Sequence, residues 1–212
     1  MPGMALIFMF KNRKKDFTHN GVKVLRSNHK DIRRLKNVHK PSLHGFRIWP
    51  SSWLLMDYFK RSGFNRHSRI LDIGCGWGIA GIYCVKNFNS IVTCVDSDSA
   101  VFPYVHLHAD INDVTVATLE ADFSDLTGNY LKNTDVMIGA DICFWDNMVE
   151  TLKKMIIRAL EYGVKNIIFA DPGRPTFERL GQYFKSEGIG EILNWDISRP
   201  YSIQGRILRV GI

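Results

Sequence analysis

The sequence predicts an α/β fold, a mostly parallel seven-stranded sheet with helices on both faces. Three observations predict it. From Arg69 onward, short apolar runs of strand length recur along the chain. Between them lie stretches with the apolar period of amphipathic helices, and this alternation marks parallel strands joined by crossover helices. The first run, Ile70–Ile73, opens directly into the glycine-dense turn Gly74-Cys75-Gly76-Trp77-Gly78-Ile79-Ala80-Gly81.

At 212 residues the chain suits one domain with a full core and a possible appendage. Its 45% apolar and 23% charged content are ordinary for a globular protein. The net charge of +7 is unevenly placed. Residues 1–40 hold 11 Lys/Arg against Asp16 and Asp31, while the remainder has 17 basic and 19 acidic residues. We therefore divide the chain into a basic N-terminal extension, residues 1–42, partly helical or disordered, and a folded domain, residues 43–212. The extension could grip nucleic acid or an acidic protein, or could be a solvated tail. Cys75, Cys84, Cys94 and Cys143 form no Cys-x-x-Cys pair, which favours reduced core thiols in a cytoplasmic protein over disulfides or a metal site. No stretch is long enough to span a membrane. The apolar Met4–Phe10 run is followed, not preceded, by its charges, the reverse of a secretory signal.

In order, residues 1–21 carry no assigned structure. A short basic helix covers Lys30–Val38, capped by Ser27 or Asn28, with Ile32, Leu35 and Val38 on its apolar face. Pro41 ends it. A second helix starts after Trp49-Pro50, with Ser51 or Ser52 as cap, and stops at Gly63. Strands are expected over Arg69–Ile73, Ile91–Val95, Thr115–Leu119, Val136–Ala140 and Asn166–Ala170, then Glu191–Asp196 and Ser202–Val210. Helices are expected over Ile79–Asn87, Ala100–Ile111, Asn147–Tyr162 and Thr176–Ser186.

Acids stand at or just past successive strands: Asp72, Asp96, Asp122, Asp141 and Asp171. In an open parallel sheet, ligands bind at the carboxyl ends of the strands. Any one of these acids could instead cap a helix; five along one rim suggest a ligand. Asp96 lies 18 positions after Gly78, near the spacing at which an acid takes a ribose hydroxyl pair. Asp122 and Phe123 suit the amino group and ring of an adenine, or else the cap of a following turn. His44, ahead of Trp49, could act as a base or simply pack in its aromatic segment. His106 and His108, two apart in a helix, face different ways and make a poor metal pair, and no metal site is assigned.

The glycine turn, with Asp72 two residues before Gly74, resembles motif I of class I S-adenosylmethionine (SAM) methyltransferases. Gly76-Trp77-Gly78-Ile79-Ala80-Gly81 also satisfies the dinucleotide pattern Gly-x-Gly-x-x-Gly. A carboxylate at the strand end repels a pyrophosphate and suits the amino-bearing end of SAM, which favours the methyltransferase. Asp141-Ile142-Cys143-Phe144 is similar to the Asp/Glu-x-x-Tyr/Phe motif of a family of protein lysine methyltransferases. Trp49-Pro50 resembles that family's Trp-Pro element, and Asp171-Pro172-Gly173-Arg174-Pro175 resembles a loop of the branch that methylates the electron-transfer flavoprotein β subunit. Ser51-Ser52 departs from the glycines common after Trp-Pro.

The resemblance implies a Rossmann-like sheet with an antiparallel last strand, SAM as cofactor, and a protein lysine as substrate. It implies cofactor contacts from Trp49, Asp72, Gly74, Cys75, Gly76, Gly78, Asp96, Ser97, Asp122, Phe123 and Ala140. Asp141 would accept a hydrogen bond from the incoming amine, Phe144 would wall its channel, and Asp171 and Arg174 would meet the substrate. The Asp/Asn-Pro-Pro-Tyr/Phe motif of enzymes acting on nucleic-acid bases is absent, as is a Pro-Cys nucleophile. Both absences argue against base methylation and leave a ribose, a small molecule or a non-catalytic SAM-binding module as alternatives.

Overall fold

The computed structural model describes residues 15–42, 44–63 and 65–211. Met4–Phe10 and Leu43, which figured in the expectations above, lie outside them. The described chain starts with a hairpin, β1 (Asp16–His19) and β2 (Val22–Leu25). The helices α1 (Lys30–Val38) and α2 (Ser51–Ser62) follow. Then come β3 (Arg69–Ile73), α3 (Ile79–Phe88), β4 (Ile91–Asp96), a 3-10 turn over Ser99–Val101, α4 (Phe102–Asp110) and β5 (Ala117–Glu120). After a one-turn α5 (Gly128–Leu131) the chain runs β6 (Val136–Ala140), α6 (Asp146–Glu161), β7 (Asn166–Asp171), α7 (Pro175–Ser186), β8 (Gly190–Ile197) and β9 (Ile203–Val210).

The seven main strands order as β5-β4-β3-β6-β7-β9-β8. Pairing is parallel from β5 through β7, and the last strand, β9, inserts antiparallel between β7 and β8. Successive strands step outward from β3 in one direction and from β6 in the other. The loops after β3 and β6 therefore leave the same sheet edge side by side, with Ile73 paired to Gly139. Such a reversal opens a crevice at the carboxyl ends of its two central strands.

Two apolar layers flank the sheet. One joins α2, α3 and α4 to the outward faces of the strands, around Leu54, Phe59, Ile82, Tyr104 and Ile138. The other joins α6 and α7 around Leu152, Met155, Phe177 and Phe184. Each fully buried side chain of this size contributes roughly 1.5–3 kcal/mol. The helices need no strong intrinsic propensity when such faces hold them to the sheet.

The hairpin was missed by the sequence reading, although its signal is present. Asn20 and Gly21 both have positive φ, 46° and 82°, which is the two-residue turn that Asn-Gly favours. Val22, Val24 and Leu25 are buried in the core that holds α3 and α4. The Leu25 N–H also donates to His108 Nε2 at 3.3 Å, and burial pushes that imidazole down to about 4. The boundary drawn after residue 42 thus coincides with no break in packing, since the hairpin and Ile32 share the core of the larger unit.

The expected caps differ. On α1, His29 rather than Ser27 or Asn28 receives the Asp31 N–H, and Val38 is 72% exposed rather than on the inner face. On α2 no local side chain caps the start: the Ser51 N–H donates to Asp141 Oδ2 at 2.9 Å, from 90 residues away. As expected of a pair two apart, His108 is buried and His106 exposed. No helix among the described residues is long and apolar enough to cross a membrane.

Candidate active site

The crevice between the β3 and β6 loops holds a cavity of about 150 Å³. Its wall includes Gly74, Gly76, Asp96, Ser97, Phe123, Ala140, Asp141 and Phe144, together with Trp49, which arrives from the segment before α2. A narrow slot under Trp49, lined also by Asp72, Cys75 and Ala140, and an open basin beside Asp122 and Phe123 share lining residues with it.

Local backbone geometry explains the glycines. Gly74 has φ +59°, and a Cβ there would stand 2.6 Å from Ile142 Cγ2. Gly139, on the partner strand, is equally closed, with Ile142 Cδ1 at 2.7 Å from a would-be Cβ. Ile142 is thus seated on two glycines, which lets the β3 and β6 loops touch. Gly76 has φ +52° and nothing within 4 Å of its missing Cβ, so it leaves open space on the cavity side. Gly78 lines none of these cavities. It starts α3 in the left-handed region and faces Val105 and Cys94.

Asp96 ends β4 with both oxygens engaged. Oδ2 accepts the Gly76 N–H at 3.0 Å and Oδ1 accepts the Asp98 N–H at 3.1 Å. Burial nevertheless pushes its carboxyl above the usual range. The carboxylate therefore both shapes the glycine loop and stands on the cavity wall beside Ser97. Asp122 is exposed on the basin rim, and its N–H donates to Asp125 Oδ2 at 3.3 Å across the turn that it was offered, as the alternative to an adenine contact, to cap.

Asp72 behaves differently from the expectation of a charge offered to a ligand. It is 2% exposed and accepts the Gly81 N–H at 3.0 Å, tying β3 to α3. Burial pushes its carboxyl up to about 7. The folded value is higher than the unfolded one, so the native state holds the proton longer, and stability falls as pH rises from about 4 toward 7. The slope from this group reaches at most ~1.4 kcal/mol per pH unit. Asp72→Asn keeps an acceptor for Gly81 and is expected to flatten that part of a denaturation-midpoint profile between pH 4.5 and 7. An unchanged profile would rule this account out.

On the β6 side, Asp141 adopts φ 57°, a left-handed conformation that is costly for a non-glycine residue and that recurs at functional sites. Its Oδ2 holds the start of α2, as described. Its Oδ1 lies 2.9 Å from Arg174 Nη1, an ion pair that is not aligned as a hydrogen bond. The same Nη1 donates to Asp171 Oδ2 at 2.5 Å. Asp171 is fully buried and also accepts the Gly173 and Arg174 N–H groups. Of the two residues expected to meet substrate, Arg174 bridges the Asp141 and Asp171 carboxylates and Asp171 shapes the loop after β7. Arg174 stands 4.1 Å from the Phe144 ring centroid, so the cation facing Phe144 is the chain's own.

Sequence reasoning gave little weight to an aromatic cluster that the tertiary structure assembles here. His44 stacks on the Phe144 ring, centroids 4.3 Å apart and planes at 12°, and packs edge-on to Trp49 at 5.5 Å. Trp49 Nε1 donates to the His44 carbonyl at 2.8 Å, and the Arg47 guanidinium covers Trp49 at 3.9 Å. Trp145, 47% exposed, completes the mouth. The Ser42 N–H donates to Asp98, fastening this segment over the β4 loop. Spacing could not show that residues 42–49 close over residues 140–145, because the contact spans about half the chain.

A family model described as lysine methyltransferase matches residues 28–185. The chain belongs to this lysine methyltransferase family. S-adenosylmethionine is the family's cofactor, and the crevice suits it: open glycine backbone at Gly76, a rim carboxylate at Asp96, and an apolar wall at Phe123. A Dictyostelium discoideum protein named histidine protein methyltransferase 1 homolog is 31% identical over 126 residues, 55% of this chain and 40% of that protein. The Xenopus laevis electron transfer flavoprotein beta subunit lysine methyltransferase is 23% identical over 153 residues, 68% of this chain and 61% of that protein. The chain thus spans roughly two fifths to three fifths of these relatives. Among solved structures, the human methyltransferase 10 domain containing protein has a TM-score of 0.57 at 11% identity, covering 84% of this chain and 92% of that one. A Pyrococcus abyssi tRNA (uracil-54, C5)-methyltransferase in complex with S-adenosyl-L-homocysteine has a TM-score of 0.55 at 19% identity, covering 92% of this chain and 43% of that one. At these identities both carry the fold of this family member and nothing further.

Proposed function

We propose that this family member methylates the side-chain amine of lysine in a protein substrate. The carrying observation is the position of Asp141, Ile142 and Phe144 on the wall of the cavity that also contains Gly74, Gly76 and Asp96. An acceptor and an aromatic wall are thereby placed beside the site that suits the cofactor. When bound, SAM supplies an activated methyl group on a cationic sulfur. The residues of this chain then have three tasks: to hold the cofactor, to orient the nucleophile and to exclude water. Positioning of this kind accounts for roughly 7–11 kcal/mol of barrier reduction in favourable cases.

In this reading Trp49, Gly74, Cys75, Gly76, Asp96, Ser97, Phe123 and Ala140 surround the cofactor, with Asp122 at the edge of the basin. Asp96 takes the ribose hydroxyls. Asp72 and Gly78 act from behind, through α3. Free lysine is protonated, with a pKa near ~10.4, and only its neutral form is nucleophilic. A desolvated, cation-bearing site lowers that value. Asp141 then accepts an N–H of the amine and aims its lone pair. Arg174 and Asp171 hold Asp141 and Phe144 in place. The names of the two relatives offer lysine and histidine as acceptors of the methyl group, and the similarity of residues 28–185 to the lysine methyltransferase model favours lysine.

The test uses methyl-labelled SAM and a cell lysate depleted of endogenous SAM. Label in protease-sensitive material that yields methyl-lysine on acid hydrolysis is the expected result. Nuclease-sensitive label would overturn it and turn attention to the basic α1 segment, whose Lys30, Arg33, Arg34 and Lys40 are exposed. RNA binding there would fall steeply with salt.

A further inference from the structure

Among the described residues, two buried side-chain atoms without a hydrogen-bond partner belong to residues of the cavity wall. They are His44 Nε2 and Asp141 Oδ1, the latter meeting Arg174 Nη1 at 2.9 Å as an ion pair off the hydrogen-bond axis. Buried polar atoms are nearly always satisfied, so the His44 nitrogen calls for a partner, while the Asp141 oxygen, charge-paired with Arg174, keeps lone-pair capacity for a further N–H. The segments bearing them are held together: the His44 ring lies flat on Phe144, and Phe144 lies under the Arg174 guanidinium that pairs with Asp141. Neither side chain is positioned by accident of a loose loop. Trp49 Nε1 fixes the His44 carbonyl, and the Ser51 N–H fixes Asp141.

We propose that His44 Nε2 is the second acceptor for the substrate nitrogen, paired with Asp141 Oδ1. The proposal rests on the lysine reading above. A neutral primary amine has two N–H bonds and one lone pair. Two acceptors, each taking one N–H, leave the lone pair with a single free direction, that of the methyl donor. An imidazole nucleophile has its only N–H on the other nitrogen of the ring, so it satisfies at most one of the two. An amine that already carries one methyl has a single N–H, leaves one acceptor unsatisfied, and is a poorer guest. The pair therefore selects lysine over histidine, and the unmethylated lysine over the methylated one. His44 is a positioning group for the amine and touches it directly.

The labelled-lysate assay tests this with wild-type protein, His44→Phe and His44→Gln. Phenylalanine keeps the stack on Phe144 and removes the acceptor; glutamine keeps an acceptor without the ring. SAM affinity is measured separately for each by titration calorimetry. We expect His44→Phe to bind SAM as wild type does, to lower methyl-lysine yield at least roughly 10-fold, as loss of a buried hydrogen bond does, and to raise the share of di- and trimethyl-lysine. Glutamine should restore part of the yield. Wild-type and His44→Phe proteins with equal yield and equal methylation states would overturn the proposal and leave the lysine reading intact. Loss of SAM binding in both variants would also overturn it, by placing His44 on the cofactor. Wild-type label in methyl-histidine, or in no protein, would remove the lysine reading itself.

Discussion

Asp141→Asn is expected to lower turnover about 10- to 100-fold with SAM affinity unchanged. Asparagine is nearly isosteric, and its carbonyl can still receive the Ser51 N–H that Asp141 Oδ2 takes at 2.9 Å. What it removes is the negative charge on the oxygen facing Arg174 and the cavity. A hydrogen bond to a charged group is worth roughly 1.5–3 kcal/mol, and that figure sets the loss if Asp141 grips the amine during transfer. Asp141→Ala should show the same kinetic defect with a second one. It uncaps α2, at about 0.5–2 kcal/mol, and leaves Arg174 with one carboxylate in place of two. Single-turnover rates with saturating SAM, set beside denaturant midpoints, separate the two effects. Full turnover in Asp141→Asn would leave Asp141 as a cap alone.

The second large effect falls on the cofactor. Asp96→Ala is expected to weaken SAM and S-adenosylhomocysteine by about 30-fold or more, with little change in the maximal rate once SAM saturates. Two causes act together. The carboxylate no longer accepts from a hydroxyl pair, each such charged hydrogen bond being worth roughly 1.5–3 kcal/mol. The Gly76 and Asp98 N–H groups also lose their acceptor, so the loop that presents Gly76 loosens. Asp96→Asn, which retains a carbonyl acceptor, should fall between the two. Calorimetric titration decides it, and normal affinity in Asp96→Ala would refute the ribose assignment.

The two variants should fail in opposite ways, because the residues stand on opposite sides of the switch point. Asp96 ends β4, on the β3–β4–β5 half, and Asp141 follows β6, on the other half. Chain reversal between β3 and β6 brings a cofactor-side acid and a substrate-side acid to one crevice.

Much of this was legible in the sequence by itself. The apolar runs located β3 and β6, because a strand covered on both faces reads as a near-continuous apolar stretch, unbroken in β6 and interrupted in β3 only by Asp72. Spacing picked out the glycine turn and the rim acids. What a side chain does with its charge was decided only by the tertiary structure. Asp72, Asp96 and Asp141 look alike in sequence. Folding buries the first against α3, sets the second under the glycine loop and aims the third at both α2 and Arg174. The Ser51 N–H, the aromatic cluster of His44 with Phe144, and the bridge of Arg174 between Asp141 and Asp171 all join segments far apart in the chain or across a loop. Local pattern records which residues are apolar and where the backbone turns; it carries no information on which distant polar groups will meet once water is excluded, and that pairing determines the chemistry of the site.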